Sequence, residues 1–252
     1  MITSLNRLFK KKIVFKNGTV KNRKMLKSIS FDETRKSEKD ADRILIDCDI
    51  ANVFITTSKE KFITARLFGS CLTDFSTPTF SLCQDKKLTS IEFQNSGKVF
   101  SGELFLNITI PDIIHDIINI NTTSGKVIIN NSVQTRQLLI NTISGKATIL
   151  TRCSNSIVKT VSGDVDFQLH ANNNGSCRIE TVSGQVKLAI AGIEEVNLSL
   201  DSKSEKIEKT FDLVELGYYA KIVIKTINGN ISIENCKSSL DEEKTHYMYE
   251  ET

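Results

Sequence analysis

The heptapeptide KTVSGDV, Lys159–Val165, recurs along the chain in closely related forms. The segment NTISGKA begins 18 residues before it, and ETVSGQV begins 21 residues after it. A repeat with a period of about 20 residues is typical of a solenoid, in which each unit stacks on the next. The alternative is a binding or catalytic signature that happens to recur, and the surrounding residues distinguish these two interpretations.

Five segments align on one threonine and one glycine, and they give the pairs Thr122 and Gly125, Thr142 and Gly145, Thr160 and Gly163, Thr181 and Gly184, and Thr226 and Gly229. The intervals between successive glycines are 20, 18, 21 and 45 residues. The last interval is about twice the unit, which indicates that one coil has lost its signature or carries an insertion. It contains the charged stretch Asp201–Lys209, which we expect to form a protruding loop.

Apolar residues alternate with polar ones on both sides of each threonine–glycine pair. The apolar residues two before the threonine are Ile120, Ile140, Val158, Ile179 and Ile224. Those two after the glycine are Val127, Ala147, Val165, Val186 and Ile231. A period of two is typical of a strand with one buried face. Each unit therefore contains a strand that ends at the threonine, a Ser-Gly corner, and a second strand.

Units of this size cannot bury an apolar face alone, but stacked copies can. The pattern therefore predicts an all-β protein whose body is a parallel β-helix, a solenoid in which each coil pairs with the next. In this interpretation the threonine fits the sheet because it is β-branched. The serine hydrogen-bonds the backbone of the bend. The glycine supplies a positive φ, and a side chain in its place would crowd the adjacent coil.

A weaker copy of the pattern lies upstream, in Arg43–Ile55. Cys48 takes the threonine position and Ala51 takes the glycine position, so that the flanking aliphatic residues fall on the buried columns. We interpret this segment as an early, degenerate coil.

A second Ser-Gly pair occurs in QNSGKVF, residues 94–100. Counted back from that pair, Ile91 and Phe93 are out of phase by one residue, which would point them outward. This phase favours a hairpin or a distorted coil.

These patterns divide the chain into three parts. Residues 1–42 form a basic N-terminal leader, with a hairpin expected at Asn17-Gly18. Residues 43–236 form the β-helix repeat domain, with about five to seven coils of ~20 residues. Residues 237–252 form a polar, acidic tail that we expect to be disordered.

Tandem Thr-Val-Ser-Gly-Asp-Val units, which follow the strand Ile108–Pro111 and close with KTINGNISI at Lys225–Ile233, resemble the bacterial putative-adhesin β-strand-repeat family, a domain of unknown function. The resemblance covers about Asn107–Glu234, with weaker similarity back to about Asp42. It implies a right-handed β-helix and an adhesin role.

The repeated serine is not expected to act as a nucleophile. A serine nucleophile needs a base within hydrogen-bond reach, and His115, His170 and His246 do not follow the repeat. The serines occupy equivalent corners at Ser124, Ser144, Ser162 and Ser183, and a catalytic residue is rarely present in such copies. The repeated threonines and glycines are accordingly predicted to be structural corner residues.

Asp164 and Asp166 are the best candidates for surface acid–base chemistry, because β-helix lyases and hydrolases use grouped carboxylates. The aligned column of Asp166 reads Ile128, Thr148, Asp166, Lys187 and Ser232, so acids do not accumulate on one face. We therefore predict a non-enzymatic binding or scaffolding module without cofactor or metal. The alternative is a carbohydrate-active β-helix enzyme, either a polysaccharide lyase or a hydrolase.

Six cysteines occur, and none belongs to a Cys-x-x-Cys pair or has histidines at zinc spacing; they are Cys48, Cys71, Cys83, Cys153, Cys177 and Cys236. We expect them to be buried and reduced, as small apolar residues of the core.

The charge is distributed asymmetrically along the chain. Residues 1–27 hold nine lysines or arginines and no acid, while the remainder carries 24 bases against 30 acids. An acidic body argues against nucleic acid as the partner. The leader is a solvated tail, a weak membrane-surface contact or, less favoured, a nucleic-acid contact. No signal peptide or transmembrane segment is recognisable, so a cytoplasmic protein is expected, with membrane association as the alternative. Self-association, or a protein or carbohydrate ligand, is the expected partnership.

Overall fold

The computed structural model describes residues 27–37, 41–73, 78–94, 99–170, 175–191, 196–203, 207–209 and 220–236. Within these ranges the regular structure consists of β-strands alone. The strands are β1 Lys27–Lys36, β2 Arg43–Cys48, β3 Asn52–Ser58, β4 Thr64–Thr73, β5 Thr79–Asp85, β6 Leu88–Gln94, β7 Val99–Pro111, β8 Ile114–Thr122, β9 Val127–Ile129, β10 Gln134–Thr142, β11 Ala147–Ile149, β12 Arg152–Thr160, β13 Val165–His170, β14 Ser176–Thr181, β15 Val186–Ala191, β16 Val196–Ser202, β17 Ile207–Lys209, β18 Ala220–Thr226 and β19 Ile231–Cys236.

The strands form two sheets. Sheet A has ten strands in the order β1-β4-β7-β3-β9-β11-β13-β15-β19-β17. Sheet B has nine strands in the order β16-β18-β14-β12-β10-β8-β2-β6-β5. Along the repeats the chain alternates between the sheets, so one coil contributes one strand to each, and neighbouring coils pair in parallel. The prediction of an all-β, solenoid-like body rich in parallel strands is confirmed.

The residues aligned by the repeat stand side by side. In sheet B, Thr142 pairs with Thr122 on one side and Thr160 on the other. In sheet A, Ala147 pairs with Val127 and Val165. The aliphatic columns are almost fully buried and form one core between the sheets. The period-two pattern of the sequence thus sets both the register and the core.

The segment Arg43–Ile55 folds as a coil in register with the repeats. Cys48 pairs with Thr122 in sheet B, and Val53 pairs with Val127 in sheet A. Its interpretation as a degenerate coil is confirmed.

The outward orientation that the phase of Ser96-Gly97 would give Ile91 and Phe93 does not occur. Both side chains are fully buried, and β6 pairs in parallel with β2, which places Phe93 opposite Cys48. The spacing to Ser96-Gly97 gives the wrong phase for this strand. Phe93 precedes Gly97 by four residues, whereas Thr160 precedes Gly163 by three. Burial of two large apolar side chains sets the phase of this strand.

Antiparallel strands extend the N-terminal end of both sheets. Strand β5 forms a hairpin with β6, β4 pairs antiparallel with β7, and β1 pairs antiparallel with β4. Strand β1 precedes the boundary expected at residue 43, and its Phe31 makes an edge-to-face contact with Phe93, with ring centroids 5.7 Å apart. The packed body therefore includes part of the segment assigned to the leader.

The protruding loop expected at Asp201–Lys209 is wrong. Strand β16 pairs with β18 and β17 pairs with β19, so these two strands form the coil that has lost the signature. It aligns Ser202 with Thr226, and it stacks beyond the later coil β18–β19 rather than before it. Leu198 and Leu200 pack against the core, which gives this charged segment an apolar face to bury.

Candidate binding surface

Each repeat corner is closed by a threonine. The Oγ1 atom of Thr160 accepts a hydrogen bond from the backbone N–H of Gly163, with the two atoms 2.9 Å apart. The same bond recurs at the other four corners with separations of 2.9–3.3 Å, at Thr122–Gly125, Thr142–Gly145, Thr181–Gly184 and Thr226–Gly229. The hydroxyl satisfies an N–H that would otherwise be buried unpaired. The threonine therefore does more than fit the sheet.

The corner glycines allow successive coils to approach each other. A Cβ atom on Gly163 would lie 2.0 Å from the carbonyl oxygen of Gly145 in the preceding coil. The expected positive φ at the corners is wrong, because the glycines with positive φ in the described ranges are Gly69 and Gly102, on β4 and β7. Close backbone approach, and not handedness of the turn, selects glycine here.

The corner serines bind the preceding coil. Ser162 Oγ donates to the carbonyl oxygen of Ile143 at 3.3 Å, and Ser144 and Ser183 make the equivalent bonds to Thr123 and Val161. Each serine hydroxyl thus contacts the bend of the coil before it. The polar atoms of the repeat are engaged in holding the stack together.

His115 is fully buried at the start of β8. Its Nδ1 lies 2.9 Å from the carbonyl oxygen of Ala41 and its Nε2 lies 3.1 Å from that of Pro111. Both ring nitrogens face backbone carbonyls, so the ring joins three chain segments. The side chain of His170 and all of His246 lie outside the described residues.

The two candidate carboxylates also connect coils. Asp164 Oδ1 accepts a hydrogen bond from the backbone N–H of Gln185 at 2.9 Å. Asp166 forms an ion pair with Lys146 of the preceding coil. In the described ranges no group of three or more histidine, cysteine, aspartate or glutamate side chains could hold a metal ion.

The cysteines are free thiols in different environments. Cys48, Cys71 and Cys177 are buried, Cys153 is half-buried and Cys83 is exposed. Burial raises the pKa of Cys48 and Cys177 to about 12 and that of Cys153 to about 11, so these thiols stay protonated. The expected burial is wrong for Cys83, which lies on the edge strand β5 of sheet B. The side chain of Cys236 is outside the described set.

The residue after the corner threonine is aliphatic and exposed in four of the five corners, and it is Thr123 in the first. The exposed fractions are 52% for Ile143, 48% for Val161, 40% for Val182 and 43% for Ile227. Because consecutive coils are stacked in register, these side chains form a line that we call the corner ridge. The period-two pattern of the buried columns does not predict this ridge, although each ridge residue directly follows a corner threonine in the sequence.

Several predictions concern residues that the structure does not describe. They include the basic residues before Lys27, the hairpin at Asn17-Gly18 and the tail 237–252. Among the strands and turns that are described, no helix has the length and apolar character needed to cross a bilayer.

Two parallel-rich sheets joined coil by coil define a solenoid-like protein with a buried aliphatic core. The model of the family Toastrack DUF4097 matches residues 41–202, and the chain belongs to this family. No curated protein matches the chain.

Three solved structures match this chain to different degrees. A putative cell adhesion protein from Clostridium sporogenes ATCC 15579 is 14% identical and has a TM-score of 0.55, with 82% of this chain and 100% of that chain covered. A putative lipid binding protein from Parabacteroides distasonis ATCC 8503 is 12% identical, with 82% and 97% covered and a TM-score of 0.35. A putative adhesin from Bacteroides fragilis NCTC 9343 is 12% identical, with 81% and 97% covered and a TM-score of 0.31. The first of these supports the fold assignment.

Proposed function

We propose that this chain is a non-enzymatic β-solenoid module that binds or scaffolds other molecules, as an adhesin does. The observation that carries the proposal is the different roles of neighbouring side chains at the three middle corners, residues 142–145, 160–163 and 181–184. The hydroxyls of Thr160 and Ser162 hold the stack, and the exposed side chain between them, Val161, is aliphatic. A line of such side chains offers contact area and no reactive group.

The contacts of Asp164 and Asp166 support a binding role over a catalytic one. A general acid or base must be free to reach its substrate, whereas Asp164 accepts from a backbone N–H and Asp166 is paired with Lys146. These contacts favour the binding module over the carbohydrate-active enzyme. We also propose that the coils wind in the right-handed sense that the resemblance to adhesins implies.

The partner is expected at the surface of the stack. The similar structure from Clostridium sporogenes is described as a putative cell adhesion protein, and adhesion to a protein or glycan surface is the activity we propose for this chain. The basic residues 1–27 are proposed to add at most a weak membrane contact.

The test is retention of the full chain, coupled to beads, on an array of purified collagen, fibronectin, laminin and neutral and acidic glycans. We expect retention on at least one class of spot, with an uncoated bead as control. Absence of retention on every class would contradict the proposal.

Catalysis is tested in parallel by the release of reducing ends from the same glycans. We expect none. Release that disappears in Asp164→Asn with Asp166→Asn would favour the enzyme, whereas release that survives both changes would place an active site elsewhere; either result would overturn the non-enzymatic proposal.

A further inference from the structure

An aromatic cleft lies on the outer face of sheet A, where β4, β7 and β3 are neighbours. Its volume is about 420 Å³, and the cleft is open to solvent. It is lined by Phe54, Thr56, Phe68, Phe105, Asn107 and Thr109. This size falls within the range of small-ligand sites, roughly 300–1,000 Å³.

The three phenylalanines come from three different strands. Phe68 stacks on Phe105 with ring centroids 5.3 Å apart and 23° between the planes. Phe54 lies 6.2 Å from Phe105 and is tilted by 36°. All three side chains are half-buried although they point away from the core. They therefore keep apolar ring surface in contact with water, which is unfavourable unless something covers it.

Polar groups complete the floor of the cleft. Asn107 is exposed and lies opposite Phe54 on one side and Arg66 on the other. Thr109 stands opposite Thr56. In the part of the chain that the structure describes, the side chains of Asn107, Thr56 and Thr109 form no hydrogen bond to protein. An amide and two hydroxyls are thus available to a ligand as donors and acceptors.

The charge next to the cleft is compensated. Arg66 forms an ion pair with Asp32, with Nη2 and Oδ1 3.0 Å apart, and its guanidinium carbon lies 5.2 Å from the centre of the Phe68 ring. The six lining residues are uncharged. A cleft with no unpaired charge suits a neutral ligand, because a charged one would lose hydration without gaining a counter-ion.

We propose that this cleft binds a neutral saccharide. The C–H face of a sugar ring would pack on Phe105 and its neighbours, and ring hydroxyls would bond the amide of Asn107 and the two threonines. A purely apolar ligand such as an acyl chain would leave these three polar groups without partners, which is the reason for preferring a saccharide. This inference rests on the proposed binding function and names its ligand class.

The experiment is calorimetric titration of the full chain with four neutral probes, namely cellohexaose, xylohexaose, mannohexaose and chitohexaose. Hexagalacturonate is the anionic probe. The variants are Phe105→Ala and Asn107→Ala, and the control is Thr148→Ala, on the outer face of the same sheet at β11. Melting temperatures are recorded for all three. Asn107 is exposed, so its variant tests the cleft even if Phe105→Ala is poorly folded.

We expect at least one neutral probe to bind. Phe105→Ala and Asn107→Ala should each weaken binding about tenfold, while Thr148→Ala changes it less than twofold. Three results would overturn the inference: no neutral probe binds, hexagalacturonate binds more tightly than all of them, or binding survives both cleft variants.

The bead array separates this inference from the proposed function. Retention on protein spots that is lost in Phe105→Ala, without saccharide binding, identifies a protein ligand for the cleft and overturns the saccharide assignment. Retention that is unchanged in both cleft variants leaves the proposed function standing and removes the cleft from it. Saccharide binding without retention on any spot supports the cleft and contradicts the adhesive role.

Discussion

The middle of the stack and its two ends follow different rules. From β8 to β15, the coils lie in space in the order in which they occur in the chain. At the N-terminal end, the coil β6–β7 lies outside the earlier coil β2–β3. At the C-terminal end, the coil β16–β17 lies outside the later coil β18–β19.

The difference teaches what the repeated residues do. In the middle, each coil has the threonine that closes its corner and the glycine that lets the next corner approach. The outermost coils have Phe93 and Ser202 in the threonine position. Terminal units of a solenoid are commonly atypical, because one of their faces meets no further coil. The signature is therefore confined to interior coils, although the interior coil β2–β3 lacks it and has Cys48 and Ala51 in its place.

The largest expected effect is at a corner glycine of the middle region. In Gly163→Val a side chain would overlap the Gly145 carbonyl oxygen, since the Cβ position is only 2.0 Å from it. We expect a loss of about 4 kcal/mol in the free energy of unfolding, measured by chemical denaturation. Ala51→Gly, in the degenerate coil, is the matched control and should cost less than about 1 kcal/mol. Equal losses at the two positions would contradict the special role of glycine in the corners of the middle region.

A smaller effect is expected from the corner threonine. Thr160→Val keeps the shape of the side chain but removes the acceptor for the Gly163 N–H. The buried N–H is left unpaired, so we expect a loss of about 1.5 kcal/mol in the free energy of unfolding.

Ser162→Ala is the control for the threonine variant because its bond is longer and the residue is exposed. We expect it to cost about 0.5 kcal/mol or less. If Ser162→Ala lowered the free energy of unfolding as much as Thr160→Val, the bond to the preceding coil would matter as much as the bond within the corner, which would contradict this account.

The sequence predicts the middle of the molecule well and its ends poorly. The columns around Thr160 and Val165 repeat often enough to reveal both register and core. Strands β16 and β17 pair outside β18 and β19. Their position depends on which coil offers an unpaired strand edge, and no local sequence pattern predicts this. The Ser-Gly pair also gives the wrong phase for Phe93, because burial of this side chain against β2 sets the orientation of the strand.

The candidate surfaces show the same limit. The crowding of the adjacent coil at Gly163 could be inferred from the repeat, but the atom involved could not, because the Gly145 carbonyl oxygen lies 18 residues away in the chain. The aromatic cleft was missed because Phe54, Phe68 and Phe105 lie on strands without a common repeat, and only the sheet order brings them together.

The smallest expected effect on the free energy of unfolding concerns two carboxylates, Glu180 and Asp47. Each lies one residue before the threonine position of its coil. In the middle region, a hydrogen bond from Arg178 and the charges of Arg178 and Lys159 hold the pKa of Glu180 below its usual value. In the degenerate coil, burial and the charges of Asp49 and Glu92 raise the pKa of Asp47. Glu180 therefore stabilises the fold above its unfolded pKa and loses this effect as the pH falls through its folded pKa. Asp47 destabilises the fold once ionised.

We expect Glu180→Gln to lower, and Asp47→Asn to raise, the free energy of unfolding at pH 7, each by less than about 1 kcal/mol. Both differences should be smaller at pH 3, where these carboxyl groups are largely protonated in the unfolded chain. Urea titrations at the two pH values check this, and effects of the same sign at pH 7 would contradict the assigned environments.

Disulfide trapping tests the order of the coils, which is the central claim, most directly. Arg178 faces Val223 across neighbouring strands, and Ser199 faces Val223 on its other side. In a Cys83→Ser background, Arg178→Cys with Val223→Cys should form a bridge on mild oxidation, because paired strands lie about 4.8 Å apart. Arg178→Cys with Ser199→Cys should not, because β18 separates them. Mass spectrometry of tryptic peptides gives the result: a bridge in the first pair alone is predicted, and a bridge in the second pair alone would mean that the coils stack in chain order.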